Sequence, residues 1–359
     1  MRLVVYVETE IIGGAEIVTG HLVENLRADI EVCAMGPSAE VVEYLAGRRP
    51  GSRAVVVPPL RSKRELSAFP AHRRVLRSLA PGVFHAVMTF QTACFWPIIA
   101  AGTVRGIAPI AVEHLEPIRA TWRDRAAKRR ALRFLAAHIA VGSRVARDVE
   151  RDLRLPPGTV RTIYNGLPDV TVSPAPIPGA GTTVGVVAAH LTRRKGIDVL
   201  LHALADLPQT QVAVVGRGPE EERLRALARD LGVEDRVQWL GWFDAPRPYI
   251  AAFDVLAVPS RAEAFPLVIV EAMLASRPVV ASAVGSVPEA VTDGVTGALV
   301  PPDDPDALAG ALTLLLADPD LRQRMGAAGR RDAIERFSVE TMTRTYEQLY
   351  DEIAQRDVA

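Results

Sequence analysis

The chain has 359 residues, of which 49% are hydrophobic and 23% are charged, and its formal net charge is zero. This is the composition of a globular protein long enough for two domains, and it argues against a disordered chain or a nucleic-acid-binding protein. The two cysteines, Cys33 and Cys94, are too few for a disulfide framework or a metal site, so we expect buried free thiols. We expect no cleaved leader and no membrane span, because Met1 leads directly into a strand-like segment and Pro97 and Arg105 interrupt the most apolar stretch.

Short apolar segments in the first half of the chain alternate with longer helical patterns. Strands that alternate with helices predict a parallel sheet covered by helices. The predicted strands are Leu3–Val7, Ile30–Ala34, Ala54–Val57, Val83–Met88, Pro109–Val112 and His138–Val141. We assign residues 1–168 to an N-terminal Rossmann-like domain. The proline- and glycine-rich residues 169–181 are interpreted as a linker.

The same alternation restarts after the linker and predicts a second doubly wound domain over residues 182–337. Its predicted strands are Val184–Ala189, Gln211–Val215, Val237–Leu240, Val255–Val258, Val279–Ala281 and Ala298–Val300. Residues 338–359 are helical with no strand after them, and we expect this helix to pack back on the N-terminal domain. The expected fold is therefore α/β, with two doubly wound Rossmann-like domains that face a cleft.

Two glutamates mark the most informative loop, because ligands of parallel sheets bind beyond the carboxyl ends of strands, near helix N-termini. Pro266 suits the first turn of a helix. This places Glu263 in the preceding loop and Glu271 one to two turns inside the helix. A carboxylate can accept two hydroxyl hydrogen bonds from a sugar or ribose, and the N–H groups of Phe265 and Leu267 suit an anion or hydroxyls. The alternative is that Glu263 caps the helix and Glu271 is a surface residue.

The spacing of these glutamates resembles the signature of the family 4 glycosyltransferases, which have the GT-B fold. Further segments resemble family motifs in the expected order: GGAE, IYNGL, AAHLTRRKGIDVLLHAL, VVGRGPEEERL, RVQWLGW and VGSVPEAVTDGVTGALVPPDDPDAL. The match covers nearly all of the C-terminal half and scattered points of the N-terminal half. The resemblance implies a retaining glycosyltransferase that moves a sugar from a nucleotide-diphosphate sugar, with UDP-sugar favoured and GDP-sugar possible, to a hydroxyl acceptor.

The resemblance also implies roles for individual residues. Glu263 and His114 are the expected catalytic residues that contact the donor sugar, and Glu271 is expected to bind the ribose. Lys195 is expected to bind the diphosphate. Its rarity supports this role, because lysine supplies only three of the 42 basic side chains and a compact ammonium suits a phosphate oxygen. The other expected donor-binding residues are Gly13, Gly14, His190, Arg194, Gly216, Gly218, Ala264, Phe265, Pro266 and Leu267. A buried structural histidine is the alternative for His114, and structural burial is the favoured interpretation of His85.

Four positions depart from the family pattern. His190 stands where an arginine is usual, and Ala264, Ser276 and Ser286 replace common glycines. His190 and Ala264 leave open a non-catalytic nucleotide-sugar-binding protein as an alternative. A GT-B-like sugar-nucleotide epimerase, which shares the architecture, is the other alternative.

No set of acidic residues has the spacing of a metal site, so we expect neither a metal nor a cofactor. Asp304 and Asp306 flank a proline before a helical pattern, which is typical of a helix cap. Without a metal, basic side chains and helix N-termini must stabilise the departing diphosphate.

Residues 1–170 carry 24 basic and 16 acidic side chains. Two basic segments stand out, at 61–79 and 119–134, and the second also contains Trp122 and Phe134. A basic amphipathic helix formed by this second segment can lie on an anionic membrane, bind a soluble anionic acceptor, or simply be solvated. We therefore expect a cytoplasmic protein, with peripheral contact at the inner face of the membrane as one option, and a small-molecule, glycan or lipid-linked acceptor.

Overall fold

The structure, a computed structural model, describes residues 1–90, 93–115, 121–177 and 182–356. The chain divides into two compact units, one formed by Met1–Pro168 with Ser338–Ala359 and the other by Asp169–Phe337. Each unit contains one parallel sheet whose strands are joined by helices. The predicted fold class of two doubly wound α/β domains is therefore confirmed. Residues 178–181 of the predicted linker lie outside the described residues.

The first unit is built on a seven-stranded sheet in the order β3-β2-β1-β4-β5-β6-β7. Its strands are β1 (Arg2–Val7), β2 (Glu31–Gly36), β3 (Arg53–Val56), β4 (Gly82–Met88), β5 (Ile107–Glu113), β6 (Ala137–Ala140) and β7 (Val160–Thr162). Its helices are α1 (Gly14–Asn25), α2 (Ala39–Gly47), α3 (Phe69–Leu79), α4 (Phe95–Gly102), α5 (Trp122–Leu132), α6 (Ser143–Leu153) and the C-terminal α14 (Val339–Arg356).

Strands β1, β4 and β5 form the centre of this sheet and are buried along nearly their whole length, which explains their almost continuous apolar sequences. Val7 lies opposite Val87, and Met88 lies opposite Glu113. The three strands therefore end at the same edge. The loops that follow them, which carry Gly13 and His114, emerge there.

Helix α14 docks on the first unit through polar contacts as well as apolar ones. The Tyr350 hydroxyl lies 2.7 Å from Nδ1 of the buried His85, and the Arg27 guanidinium binds both oxygens of Asp351 at 2.5 and 2.6 Å. The N–H of Val339 donates to the carbonyl of Leu167 at 3.0 Å. His85 is thus a buried structural residue, as predicted, and its burial lowers its pKa to about 3.

The second unit is built on a six-stranded sheet in the order β10-β9-β8-β11-β12-β13. Its strands are β8 (Thr182–His190), β9 (Thr210–Arg217), β10 (Val237–Gly241), β11 (Val255–Val258), β12 (Val279–Ser282) and β13 (Gly297–Val300). Its helices are α7 (Ile197–Ala205), α8 (Glu221–Asp230), α9 (Arg247–Ala252), α10 (Leu267–Leu274), α11 (Val287–Ala290), α12 (Pro305–Ala317) and α13 (Pro319–Arg336). Strands β8 and β11 are neighbours although they are far apart in sequence, so the loops that follow them meet.

Two local predictions, the buried cysteines and the helix cap, are confirmed. Cys33 and Cys94 are buried and free. Asp304 caps α12 by accepting a hydrogen bond from the N–H of Ala307 at 2.9 Å. Ser276, which stands where glycine is common, has a φ of +56°, the left-handed conformation that glycine adopts most easily. Across the described residues, no helix combines the length and hydrophobicity needed to cross a membrane.

Candidate active site

The predicted diphosphate loop lies against the carboxyl end of β11. Lys195 closes a 3₁₀ turn, Arg193–Lys195, that follows β8. Gly196, the next residue, has a φ of +63°, and a Cβ atom there would lie only 1.8 Å from the carbonyl oxygen of Pro259. Only glycine allows the turn to pack this closely, which brings Lys195 beside the loop that carries Glu263.

Lys195 and Glu263 form an ion pair at the centre of this site. The Lys195 Nζ lies 2.6 Å from Glu263 Oε1, and the Ser260 hydroxyl donates to the same oxygen at 2.7 Å. The Glu263 side chain is 6% exposed and that of Lys195 is 20% exposed. An ammonium has three donors, so Lys195 can hold Glu263 and still donate to a phosphate oxygen. Ser260 was not predicted, because nothing in the sequence separates it from other loop serines.

Glu271 lies in the second turn of α10 and has a partner that the sequence did not suggest. The Arg247 Nε, on α9, lies 3.5 Å from Glu271 Oε1, a long ion pair between two largely covered side chains. Burial raises the pKa of Glu271, and the charge of Arg247 counteracts this in part. Helix α10 begins at Leu267, and Pro266 is the extended residue before it, so the prediction of Pro266 in the first turn is wrong by one position.

The other predicted residues of the second unit also gather at this edge. His190 and Arg194 are exposed at the end of β8 and in the turn, and Ala264 and Phe265 are buried beside Glu263. The Ser286 N–H donates to the Glu263 carbonyl at 3.3 Å, and its buried hydroxyl has no hydrogen-bond partner among the described residues.

Backbone packing requires glycine at positions 216 and 218, a reason for these residues that the resemblance did not supply. Cβ atoms on them would lie 1.8 Å from the Ala188 carbonyl oxygen and 2.4 Å from the Leu191 nitrogen. The end of β9 and the residue that follows it therefore pack directly on the backbone at the end of β8, and neither position has room for a side chain.

In the first unit, the glycine-rich loop is held by a carboxylate. Glu16 is buried, its Oε2 accepts the N–H of Gly13 at 2.9 Å, and its Oε1 accepts the Thr9 hydroxyl at 3.0 Å. Gly14 is the exposed first residue of α1. Because the N–H of Gly13 is already used by Glu16, a diphosphate contact through Gly13 stays a prediction.

His114 follows β5, and its N–H donates to the Met88 carbonyl at 3.1 Å. Burial lowers the pKa of His114 to about 4, although the neighbouring Glu113 opposes the shift. The imidazole is therefore neutral near pH 7. It can donate or accept a hydrogen bond without carrying charge.

A buried charged cluster lies directly beside His114. Glu113 Oε1 is 2.6 Å from Lys128 Nζ and 2.7 Å from His138 Nε2, and all three side chains are at most 6% exposed. Burial alone raises the pKa of Glu113, but Lys128 and His138 outweigh it and lower the value to about 2. Lys128 is therefore not an exposed cation of the basic segment 119–134, because α5 turns this lysine inward.

We find no group of three or more histidine, cysteine, aspartate or glutamate side chains that could hold a metal ion in the described part of the chain.

Comparison with known proteins identifies the family. The model of glycosyltransferase family 4 matches residues 12–169, and the model of glycosyl transferases group 1 matches residues 179–332. A phosphatidyl-myo-inositol mannosyltransferase of Mycobacterium leprae is 30% identical over 95% of this chain and 94% of its own. The chain belongs to glycosyltransferase family 4. It is an enzyme of glycosyl transfer, and the resemblance seen in the motifs is confirmed.

Other relatives match only part of this glycosyltransferase. A GDP-mannose-dependent alpha-(1-6)-phosphatidylinositol monomannoside mannosyltransferase of Mycolicibacterium smegmatis is 37% identical over 52% of this chain and 53% of its own. The lipopolysaccharide core biosynthesis glycosyltransferase LpsE of Rhizobium meliloti is 35% identical over 47% of this chain and 50% of its own. These two matches span about half the length of the relatives. The crystal structure of Anabaena HepE in complex with UDP covers 98% of this chain and 100% of its own with a TM-score of 0.85 at 21% identity, which supports the GT-B fold.

Proposed function

We propose that this enzyme transfers a sugar from a nucleotide-diphosphate sugar to a hydroxyl acceptor with retention of configuration. The observation that carries the proposal is the direct pairing of Lys195 with Glu263 at the end of β8 and β11. A cation for the diphosphate and a carboxylate for sugar hydroxyls then stand side by side, as a nucleotide sugar requires. The donor is a UDP-sugar or a GDP-sugar. The second option is supported by the Mycolicibacterium relative, which is named GDP-mannose-dependent.

We propose the division of labour that the family resemblance implies. Lys195 donates to the diphosphate, Glu263 accepts hydrogen bonds from the sugar, Glu271 accepts them from the ribose, and neutral His114 contacts the donor sugar. Because the family resemblance implies it, we favour a same-face substitution, in which the departing phosphate takes the acceptor proton, over a covalent glycosyl-enzyme. Glu263 Oε1 already accepts hydrogen bonds from Lys195 and Ser260, which lowers the nucleophilicity of that oxygen.

Lys195→Ala is expected to weaken the binding of the bare nucleoside diphosphate by about 2 kcal/mol, the scale of one charge-assisted hydrogen bond. Calorimetric titration with UDP and with GDP measures this loss. Lys63→Ala is the matched control, since Lys63 is an exposed lysine of the first unit. Without Lys195, the unpaired Glu263 carboxylate would repel the diphosphate. The double variant Lys195→Ala/Glu263→Gln removes this repulsion and so measures the loss of the ammonium alone. Equal affinity of wild type and Lys195→Ala would take Lys195 out of the donor site.

We propose that transfer needs no metal ion, because Lys195 and the N-terminus of α10 supply positive charge where the diphosphate departs. Turnover is expected to be the same in excess EDTA as without it. Loss of turnover in EDTA that magnesium or manganese restores would contradict this proposal.

We also propose that α5 brings the enzyme to anionic lipid surfaces, where a lipid-linked acceptor would lie. Trp122 is 72% exposed and lines a groove of about 520 Å³ with Arg125, Arg129, Arg151, Arg154 and Asp152, which pairs with Arg125 at 2.7 Å. The Mycobacterium relative is named for a phosphatidylinositol acceptor. Co-sedimentation with phosphatidylglycerol vesicles, but not with phosphatidylcholine vesicles, is expected and should be weakened by Trp122→Ala. Equal sedimentation with both vesicles would contradict it. Arg119 and Ala120 of the predicted basic segment lie outside the described residues.

A further inference from the structure

One arginine joins three loops of the second unit at the donor site. Arg261 precedes Glu263 by two residues, and its side chain is 23% exposed. Its Nη1 and Nη2 donate to the two oxygens of Asp198 at 2.9 and 3.0 Å, and its Nε lies 2.6 Å from Asp303 Oδ1. Asp198 lies in the first turn of α7, and Asp303 lies between β13 and α12. A planar guanidinium suits this fork of contacts, which lysine could not reproduce.

Arg261 also binds the backbone of the turn that presents Lys195. Its Nη1 donates to the Arg193 carbonyl at 2.6 Å, and its main-chain N–H donates to the Arg194 carbonyl at 2.7 Å. The turn is therefore held before Lys195 by these two carbonyls and after it by Asp198. Since Arg261 belongs to the same loop as Glu263, these contacts fix the Lys195 turn relative to that glutamate.

The loop between β13 and α12, which carries Asp303, has an unusual backbone conformation at that residue. Asp303 has a φ of +58°, a conformation uncommon for residues other than glycine, although aspartate adopts it more readily than most. The adjacent Asp304 caps α12. A non-glycine residue held in this region by its surroundings is a reason to ask what its side chain contacts. Here the Asp303 carboxylate contacts Nε of Arg261, whereas Asp198 contacts Nη1 and Nη2.

The electrostatic environment keeps the network charged. Burial raises the pKa of Asp198, but the hydrogen bonds and charge of Arg261 outweigh it, and the pKa is lowered. Arg223 also faces Asp198, at the longer distance of 3.8 Å, and its Nε pairs with Glu220 at 2.7 Å. Arg261 is thus the principal partner of Asp198, and Arg223 is a peripheral one.

We propose that Arg261 is a positioning residue for the donor diphosphate: it holds the Lys195 turn against the Glu263 loop, and Asp198 and Asp303 hold Arg261. The inference rests on the proposed binding of a nucleotide-diphosphate sugar at Lys195. It adds that the affinity for the diphosphate depends on a side chain whose own contacts are protein carboxylates and carbonyls. The effect of Arg261 must then pass through Lys195, and this gives a specific test.

The test is a double-mutant cycle between Arg261 and Lys195, read by calorimetric titration with UDP or GDP, whichever the unsubstituted chain binds. Arg261→Lys keeps the positive charge but cannot make the several directed contacts of the guanidinium. We expect about tenfold weaker binding of the nucleoside diphosphate in the wild-type background. In the Lys195→Ala background the same substitution is expected to change affinity less than about twofold, because two residues that act through one contact are not additive. Arg223→Lys is the matched control and is expected to leave affinity unchanged.

The melting temperature of each variant separates positioning from general stability. A fall in melting temperature with unchanged affinity, or the same loss of affinity in both backgrounds, would overturn the proposal. If Arg261→Lys does not fold, Asp303→Asn serves the same cycle, since asparagine tolerates the positive φ but removes the charge, and about threefold weaker binding is expected. If these variants bind the nucleoside diphosphate with the affinity of the wild type, Arg261 has no positioning role. The proposed function would be unaffected, because the diphosphate would still bind.

Discussion

Lys128→Ala is expected to lower the free energy of unfolding by about 3–5 kcal/mol, the usual cost of removing one partner of a buried ion pair. The Lys128 Nζ lies 2.6 Å from Glu113 Oε1, and the two side chains are 6% and 5% exposed. Loss of the ammonium leaves a nearly buried carboxylate whose remaining ion-pair partner among the described residues is His138. Urea denaturation of wild type and variant at pH 7 measures the difference.

Two controls identify the cause of this loss. Lys63→Ala removes an exposed lysine of the same unit and is expected to change stability by less than about 0.5 kcal/mol. The double variant Lys128→Met/Glu113→Gln removes both charges and is expected to recover most of the loss. A loss below about 1 kcal/mol in Lys128→Ala would mean that solvent reaches the pair.

The loss should also depend on pH in a defined direction. The pKa of Glu113 is lowered from 4.5 to about 2, so the stability it contributes is fully present above pH 4.5 and disappears as pH falls towards 2. Without Lys128, burial would raise this pKa and the carboxyl group would take up a proton more readily. The deficit of Lys128→Ala is therefore expected to shrink as pH falls from 7 towards 3. A constant deficit over this range would contradict the assignment to Glu113.

Glu263→Gln is expected to lower turnover on the order of 100-fold while leaving the affinity for the bare nucleoside diphosphate nearly unchanged. Glu263 faces the transferring sugar in our proposal, where charge and shape change during the reaction. A contact that strengthens in the transition state affects turnover. Glu263 also shares Lys195 with the diphosphate, so its neutralisation should not weaken, and could slightly strengthen, binding of the diphosphate.

Glu271→Gln is expected to show the opposite pattern, with about tenfold weaker binding of donor and diphosphate and little change in turnover at saturating donor. The ribose keeps the same contacts throughout the reaction, so a contact with it acts equally on ground and transition states. Glu222→Gln, an exposed position on α8, is the matched control. If Glu263→Gln loses diphosphate affinity while Glu271→Gln loses only turnover, the two roles are reversed.

The strands were predictable where burial on both faces makes them continuously apolar, as in β1 and β4. Strand β7 was not predicted, because its three residues, Val160–Thr162, include an arginine and only its first residue is buried. A short edge strand of this kind depends on its neighbour β6, and not on its own hydrophobicity.

Within the site, Lys195, Glu263 and Glu271 could be predicted because each lies in a motif whose residues are close in sequence. Arg247 and Arg261 could not, since their partners are brought to them by the packing of elements that are distant in the chain. Lys128 shows the same limit. The sequence places it in a basic segment, and only the tertiary structure places it beside Glu113.

We propose that this chain uses the Lys195–Glu263 site to transfer sugar from a nucleotide-diphosphate sugar. The most direct measurement incubates the enzyme with UDP- and GDP-sugars and follows the nucleoside diphosphate and the sugar by NMR. We predict that free nucleoside diphosphate accumulates, that the released or transferred sugar keeps the anomeric configuration of the donor, and that Lys195→Ala strongly slows the reaction at donor concentrations that do not saturate the enzyme. A sugar that is epimerised while still attached to its nucleotide, or a donor that binds and is never cleaved, would contradict the claim.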